Sequence, residues 1–382
     1  MDTLVIVVII TALAFDFTNG FHDTANAMAT SIATKALRPR VAVAISAVLN
    51  LAGAFLSVQV AKTISSGLVD DAKITPAVIF GGLVGAILWN LLTWLVGLPS
   101  SSSHALFGGL IGATWIAAGG DAVNFATVVT KVIIPAIASP LIAGVVAATG
   151  TFLLYNITRR AAKGKVRAGF RHGQVVSASL VSLAHGANDA QKTMGVITLV
   201  LITAGVLGAD SGPPLWVIFT SGLAIALGTY FGGWRIIRTV GHRLTKIEPQ
   251  QGFAAETSAA TVILASSNLG YPLSTTQVTS GAVIGSGVGK KLSEVKWGVA
   301  GRIAIAWGLT LPAAAAIGAL AGRVAISGTA GVIIVAAVLV ALAATFYLLS
   351  RRNKVDRHNV NDEPVASPKS KSKPSVASRY AR

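Results

Sequence analysis

Two aspartates stand inside long apolar runs of this chain. Asp23 lies in NGFHDTANAMA, residues 19–29, and Asp189 in HGANDAQKTMG, residues 185–195. A carboxylate in such a run is expensive, so a functional role is its default reading. Polar groups crowd beside both: Asn19, His22 and Asn26 in the first run, His185, Asn188, Gln191 and Lys192 in the second. Gly20 and Gly186 are expected to loosen the helix there and free backbone groups for a ligand. A second pair of runs offers different chemistry. PSSSSHALFGGLIG at 99–112 and PLSTTQVTSGAVIG at 272–285 each set a proline, a hydroxyl run and an apolar helix in order. Ser101, Ser102, Ser103 and their counterparts Ser274, Thr275, Thr276 then fall at helix N-termini. There, backbone N–H groups and the helix dipole favour an anion. Capping explains a single hydroxyl; two copies inside apolar segments favour ligand contact.

Both motifs recur in the same order and at nearly the same offset. An odd number of apolar segments separates the copies, so the expected architecture is an inverted-topology repeat. Such repeats bind substrate and coupling ions near the bilayer midplane, at broken helices. Two aspartates would repel a bare oxyanion. Anion-binding helix ends beside carboxylates make sense when a cation bridges them, which predicts cation-coupled anion transport rather than an anion pore.

The elements that must position these residues are membrane helices. Of 382 residues, 53% are hydrophobic and 12% charged, about half the charged share of a soluble domain. Forty glycines suit closely packed membrane helices. No cysteine is present, so thiolate metal sites and disulfides are excluded. The net charge of +17 raises nucleic-acid binding. However, most Lys and Arg fall at 35–40, 159–172, 234–247, 290–296 and beyond 351, between apolar segments. That is the positive-inside pattern, not a basic face on a soluble fold.

Apolar segments are expected at 3–30, 41–61, 76–97, 103–119, 124–157, 174–206, 214–233, 253–270, 275–289, 297–322 and 329–350. The charge pattern places the N-terminus outside and the C-terminal tail in the cytoplasm. The predicted fold is an all-α, multi-pass membrane protein. Residues 1–158 form the first half, 159–172 a basic cytoplasmic linker, 173–322 the second half and 323–350 a terminal helix. Residues 351–382 form a basic disordered tail. Hairpin-like breaks are expected at Pro99 and Pro272.

The residues that carry these readings resemble the inorganic phosphate transporter (PiT) family: NGFHDTANAMAT, HGANDAQKTMG, PSSSSH and PLSTTQ. The resemblance spans residues 1 to about 350. It implies a bacterial cytoplasmic-membrane transporter of inorganic phosphate. His22, Lys192 and Asn50 resemble the low-affinity, H⁺-coupled type, which carries phosphate as a neutral metal–phosphate complex. Na⁺-coupled relatives commonly carry Glu where this chain has Asn50. On that reading Asp23, Asn26 and Asp189 hold a divalent cation such as Mg²⁺. Ser101, Ser102, Ser103, Asn188, Gln191, Lys192, Ser274, Thr275 and Thr276 hold phosphate. His22 and Glu256 are the proton-coupling candidates, although Glu256 also suits a helix start. Lys192 either contacts phosphate or neutralises Asp189. Na⁺ coupling and sulfate transport are the alternatives. No tightly bound cofactor is expected, and partners reduce to phosphate and membrane lipid. Homodimerisation is left open, since no motif bears on it. A hydrolase using a serine of SSSSH with His104 is disfavoured, because the second copy has Gln277 there.

Overall fold

A computed structural model describes residues 2–362. Its helices are α1 (Thr3–Ala33), α2 (Pro39–Gly53), α3 (Gln59–Gly67), α4 (Pro76–Val96) and α5 (Ser102–Ala118), then α6 (Phe125–Thr158) and α7 (Lys163–Thr203). These are followed by α8 (Leu215–Phe231), α9 (Trp234–Arg243), α10 (Pro249–Asn268), α11 (Thr275–Lys290), α12 (Trp297–Ala325) and α13 (Thr329–Arg352). No strand occurs among the described residues. By length and composition α1, α4, α6, α12 and α13 can each cross a membrane; α8 and α9, bent by 59°, make a sixth span if taken together. The outer faces of α6 and α13 expose Ile142, Val146, Ile157, Ile333 and Val340, an apolar surface suited to lipid.

The two breaks at proline are built alike. Gly97 (φ +69°) follows α4 and Gly270 (φ +71°) follows α10. This left-handed conformation is open to glycine at little cost. Pro99 and Pro272 come two residues later, and α5 and α11 begin behind the caps Ser101 and Ser274. At the open end of each hairpin one antiparallel bridge ties the flanking loops: Val69 to Val123, and Thr245 to Val295. The α4–α5 hairpin packs on α12, and the α10–α11 hairpin packs on α6. Each hairpin thus rests on a helix from the other half of the chain.

The apolar core falls into two clusters, and α1 and α7 run through both. The first half of α1 packs with the last part of α7 (Ala190–Leu201) in one cluster. The last part of α1 (Ala25–Ile32) packs with Ala178–Ala184 of α7 in the other. The two helices are therefore antiparallel. Asp23 and Asp189 sit where they pass between the clusters, so their polar layer lies between two apolar ones.

Several local expectations are corrected. Gly20 and Gly186 do not loosen their helices; α1 and α7 run through them unbroken. Their missing side chains admit a neighbouring backbone instead. A Cβ on Gly20 would lie 2.3 Å from the Ile225 carbonyl, and one on Gly186 would lie 2.2 Å from that of Asn50. The segment expected at 41–61 is two helices, α2 and α3, because the buried Gln191 side chain binds the first amides of α3. The basic stretch 159–172 is not a separate linker beyond Lys163. It forms the first turns of α7, since charge ends a membrane span without ending a helix. Residues 354–362, expected within a disordered tail, fold back onto α9. Arg238 donates to Asn359 Oδ1 at 3.0 Å, His242 Nε2 meets Asn361 Oδ1 at 3.0 Å, and Val360 is buried. The rest of that expectation, 363–382, lies outside the described residues.

Candidate functional site

The N-termini of α5 and α11 converge on the α1–α7 crossing. Ser101 Oγ accepts from the His104 amide at 3.1 Å and Ser274 Oγ from that of Gln277 at 3.3 Å. These two hydroxyls are caps, and they turn the next residues inward. Ser102 Oγ donates to Asp23 Oδ2 at 2.7 Å, and Thr276 Oγ1 donates to Asp23 Oδ1 at 3.2 Å. Thr275 Oγ1 donates to Asp189 Oδ2 at 2.9 Å. Asn26 Nδ2 bonds Thr276 Oγ1 at 3.1 Å and Thr275 Oγ1 at 3.4 Å. Ser103 Oγ donates to the Leu273 carbonyl at 3.1 Å, which ties the tip of one hairpin to the break of the other.

Each carboxylate also has cationic or imidazole company. Lys192, fully buried, pairs with Asp189 and donates to the Leu273 carbonyl at 2.9 Å. His185 Nε2 lies 3.0 Å from Asp189 Oδ2, while its Nδ1 meets Asn50 Oδ1 at 3.0 Å. Asn50 is fixed in turn by Thr229 Oγ1 at 2.8 Å. His22 Nδ1 lies 2.6 Å from Asp23 Oδ1, and its Nε2 is 3.1 Å from Thr93 Oγ1. Asp23, His185 and Asp189 can each present one ligand atom within 4.8 Å of the others. Two carboxylates and an imidazole form a donor set suited to a divalent cation.

The structure gathers Asp23, Asn26, Asp189, Lys192, Ser102, Ser103, Thr275, Thr276 and His22, with the caps Ser101 and Ser274 just behind. Other expected residues stand apart. Gln191 Oε1 accepts from the Val60 amide at 2.9 Å and its amide bonds the Ala187 carbonyl, so both ends are used in packing. Asn188 Nδ2 donates to Ser267 Oγ at 2.9 Å, behind the second break. Glu256 lies at a different level: Thr30 Oγ1 and Ser177 Oγ donate to it at 2.5 Å each, and Gln174 Nε2 at 3.2 Å. His185 is the residue the expected site left out. Its spacing of four from Asp189 puts both on one helix face, which was the available signal.

A cavity of about 760 Å³ opens between α6, α11 and α12. It is lined almost wholly by apolar side chains and reaches the stretches PSSSSH and PLSTTQ only at His104 and Gln277. The carboxylate cluster does not line it, so cavity and polar site are separate features.

A sequence model described as the phosphate transporter family matches residues 19–169 and again 156–318, one match per half. A Mycobacterium bovis protein described as "Probable low-affinity inorganic phosphate transporter" is 58% identical over 361 residues, which cover 94% of this chain and 87% of the relative. A Bacillus subtilis protein of the same description is 45% identical over 324 residues, covering 83% and 96%. A solved structure described as "The sodium-dependent phosphate transporter" aligns with a TM-score of 0.72 at 27% identity, covering 85% of this chain and 99% of that one. These relatives are transporters, not enzymes. By its twice-matched sequence, its relatives and its fold, this multi-pass membrane protein belongs to the phosphate transporter family.

Proposed function

We propose that the chain imports inorganic phosphate by secondary active transport, as a neutral metal–phosphate complex together with H⁺, by alternating access. One observation carries this reading. Two hydroxyl-bearing helix N-termini, one from each half, converge on a pair of buried carboxylates. The helix ends favour an anion; the carboxylates refuse a bare one. A divalent cation such as Mg²⁺, held by Asp23, Asn26 and Asp189 with His185, removes the conflict. Ser102, Ser103, Thr275 and Thr276 then face the phosphate oxygens. Asn188 and Gln191, held elsewhere by packing, are left out of that shell. A neutral ion pair also lowers the desolvation cost of carrying a polyanion through the bilayer. Lys192 keeps Asp189 compensated when no cation is bound.

The antiparallel course of α1 and α7 supports two halves of opposite orientation rocking about a midplane site. In the orientation proposed from the basic loops, the N-terminus is outside and the tail cytoplasmic. His22, on Asp23, and Glu256, beneath three donors, are the proposed proton-handling residues.

The second reading is Na⁺ coupling, favoured by the sodium-dependent structure at 27% identity. Against it, Asn50 replaces the acid expected in Na⁺-coupled relatives and is committed to His185 and Thr229. Phosphate uptake into proteoliposomes decides, with Mg²⁺, the Na⁺ gradient and the pH gradient varied separately. Uptake that needs Mg²⁺ and an inside-alkaline interior is expected. Uptake that needs a Na⁺ gradient and survives a protonophore contradicts H⁺ coupling.

A further inference from the structure

Asp16 has no place in the site above, yet it is fully buried in α1. Asp23, Asp189 and Glu256 are buried too, and each receives donors at both carboxylate oxygens. Asp16 differs: neither of its oxygens has a hydrogen-bond partner among the described residues. Asn19, one turn along the same face of α1, is buried with both polar side-chain atoms unpartnered. Thr193 of α7 is buried beside them with its hydroxyl also unpartnered. The charged groups facing Asp16 are Asp189 and Lys192 of α7, and Lys192 is already held by Asp189 and the Leu273 carbonyl. α4 and α8, which also pack on α1, carry no charged residue.

A buried carboxylate with no donor at hydrogen-bond distance and only a counter-ion shared with Asp189 is costly. Asn19 and Thr193, the polar side chains that face it, add an amide oxygen and a hydroxyl oxygen. Four side-chain oxygens around one negative charge attract a cation, and one carboxylate balances one positive charge. We propose that Asp16, Asn19 and Thr193 form a binding site for the monovalent coupling cation, H⁺ or Na⁺, separate from the phosphate site. This rests on the coupled-transport reading.

The placement suits a step on a path. Asp16 precedes Asp23 by seven residues, or about 10 Å along a helix. Thr30, which binds Glu256, follows Asp23 by the same seven residues, or about 10 Å on the opposite side. Buried carboxylates therefore occur at three levels along α1: Asp16, the Asp23–Asp189 pair, and Glu256.

The test is Asp16→Asn in proteoliposomes, with two readouts. Asparagine presents the uncharged, cation-loaded form of the side chain. Phosphate–phosphate exchange, with equal phosphate and ions on both sides, needs no cation release. Accumulation driven by an imposed pH gradient, or in a parallel arm by a Na⁺ gradient, does. Asp16→Asn is expected to keep exchange while losing at least roughly tenfold of accumulation, in whichever arm drives the unmodified protein. Thr193→Val should raise the half-saturating concentration of that ion roughly tenfold, the loss of one ligand. If both variants accumulate phosphate as the unmodified protein does, or lose exchange in step with accumulation, the site is overturned. If neither gradient drives the unmodified protein, coupled transport itself falls and the site falls with it.

Discussion

Thr276 lies 253 positions from Asp23, yet its hydroxyl donates to Asp23 Oδ1 at 3.2 Å while Ser102, from the other half, donates to Oδ2 of the same carboxylate. Neither half completes the site alone. The carboxylate of the first half is held jointly by the helix N-termini of both.

The two serines at the start of the first hydroxyl run should separate cleanly. Ser101 is a cap and Ser102 touches Asp23. Ser101→Ala is expected to lower stability by about 1 kcal/mol, the usual worth of an N-cap, with phosphate KM changed little. Ser102→Ala leaves Asp23 Oδ2 without its donor, so it should cost about 1–3 kcal/mol of stability and, unlike Ser101→Ala, reduce phosphate uptake strongly. Thermal melting in detergent and uptake kinetics, run side by side, check the contrast.

Gln191 offers the opposite case. Its type and its place beside Asp189 suggest a phosphate ligand, but its oxygen binds the first amides of α3. Gln191→Leu is expected to destabilise the protein, leaving buried amides without an acceptor at about 1–3 kcal/mol. Phosphate KM should stay within about twofold once the folded fraction is accounted for. A large rise in KM with unchanged melting would return Gln191 to the phosphate shell.

What the sequence made legible follows from spacing and repetition. The acids at 23 and 189, the breaks at Pro99 and Pro272, and the hydroxyls at 102 and 275–276 all lie where the duplicated motifs implied. Local pattern fixes such features: proline stops a helix, and serine caps one. Other features were hidden because they depend on which backbones approach each other. Gly20 and Gly186 read as helix-looseners in the sequence; only the neighbouring carbonyls of Ile225 and Asn50 reveal them as contact points. Which way Asn188 and Gln191 face is likewise set by packing: Gln191 binds the start of α3 and Asn188 binds Ser267. Val360 looked like part of a polar tail, but it is buried against the fold with Arg238 and His242 bonding its neighbours.

Lys192 and Asp189 form a buried pair whose members depend on each other. Lys192→Met leaves Asp189 with less compensation and is expected to cost about 3–5 kcal/mol of stability. Adding Asp189→Asn should recover much of that loss, because two neutral side chains need no counter-ion. Transport should stay absent in the double variant. A double-mutant cycle of melting temperatures with uptake alongside measures both; simple additivity of the two losses would contradict the pairing.

The most direct test of the central claim is phosphate uptake by Asp23→Asn and Asp189→Asn, each confirmed as folded and membrane-inserted. If phosphate crosses through the carboxylate pair beneath the two hydroxyl-bearing helix ends, each substitution alone abolishes saturable uptake. Near-normal transport by either variant would contradict the site.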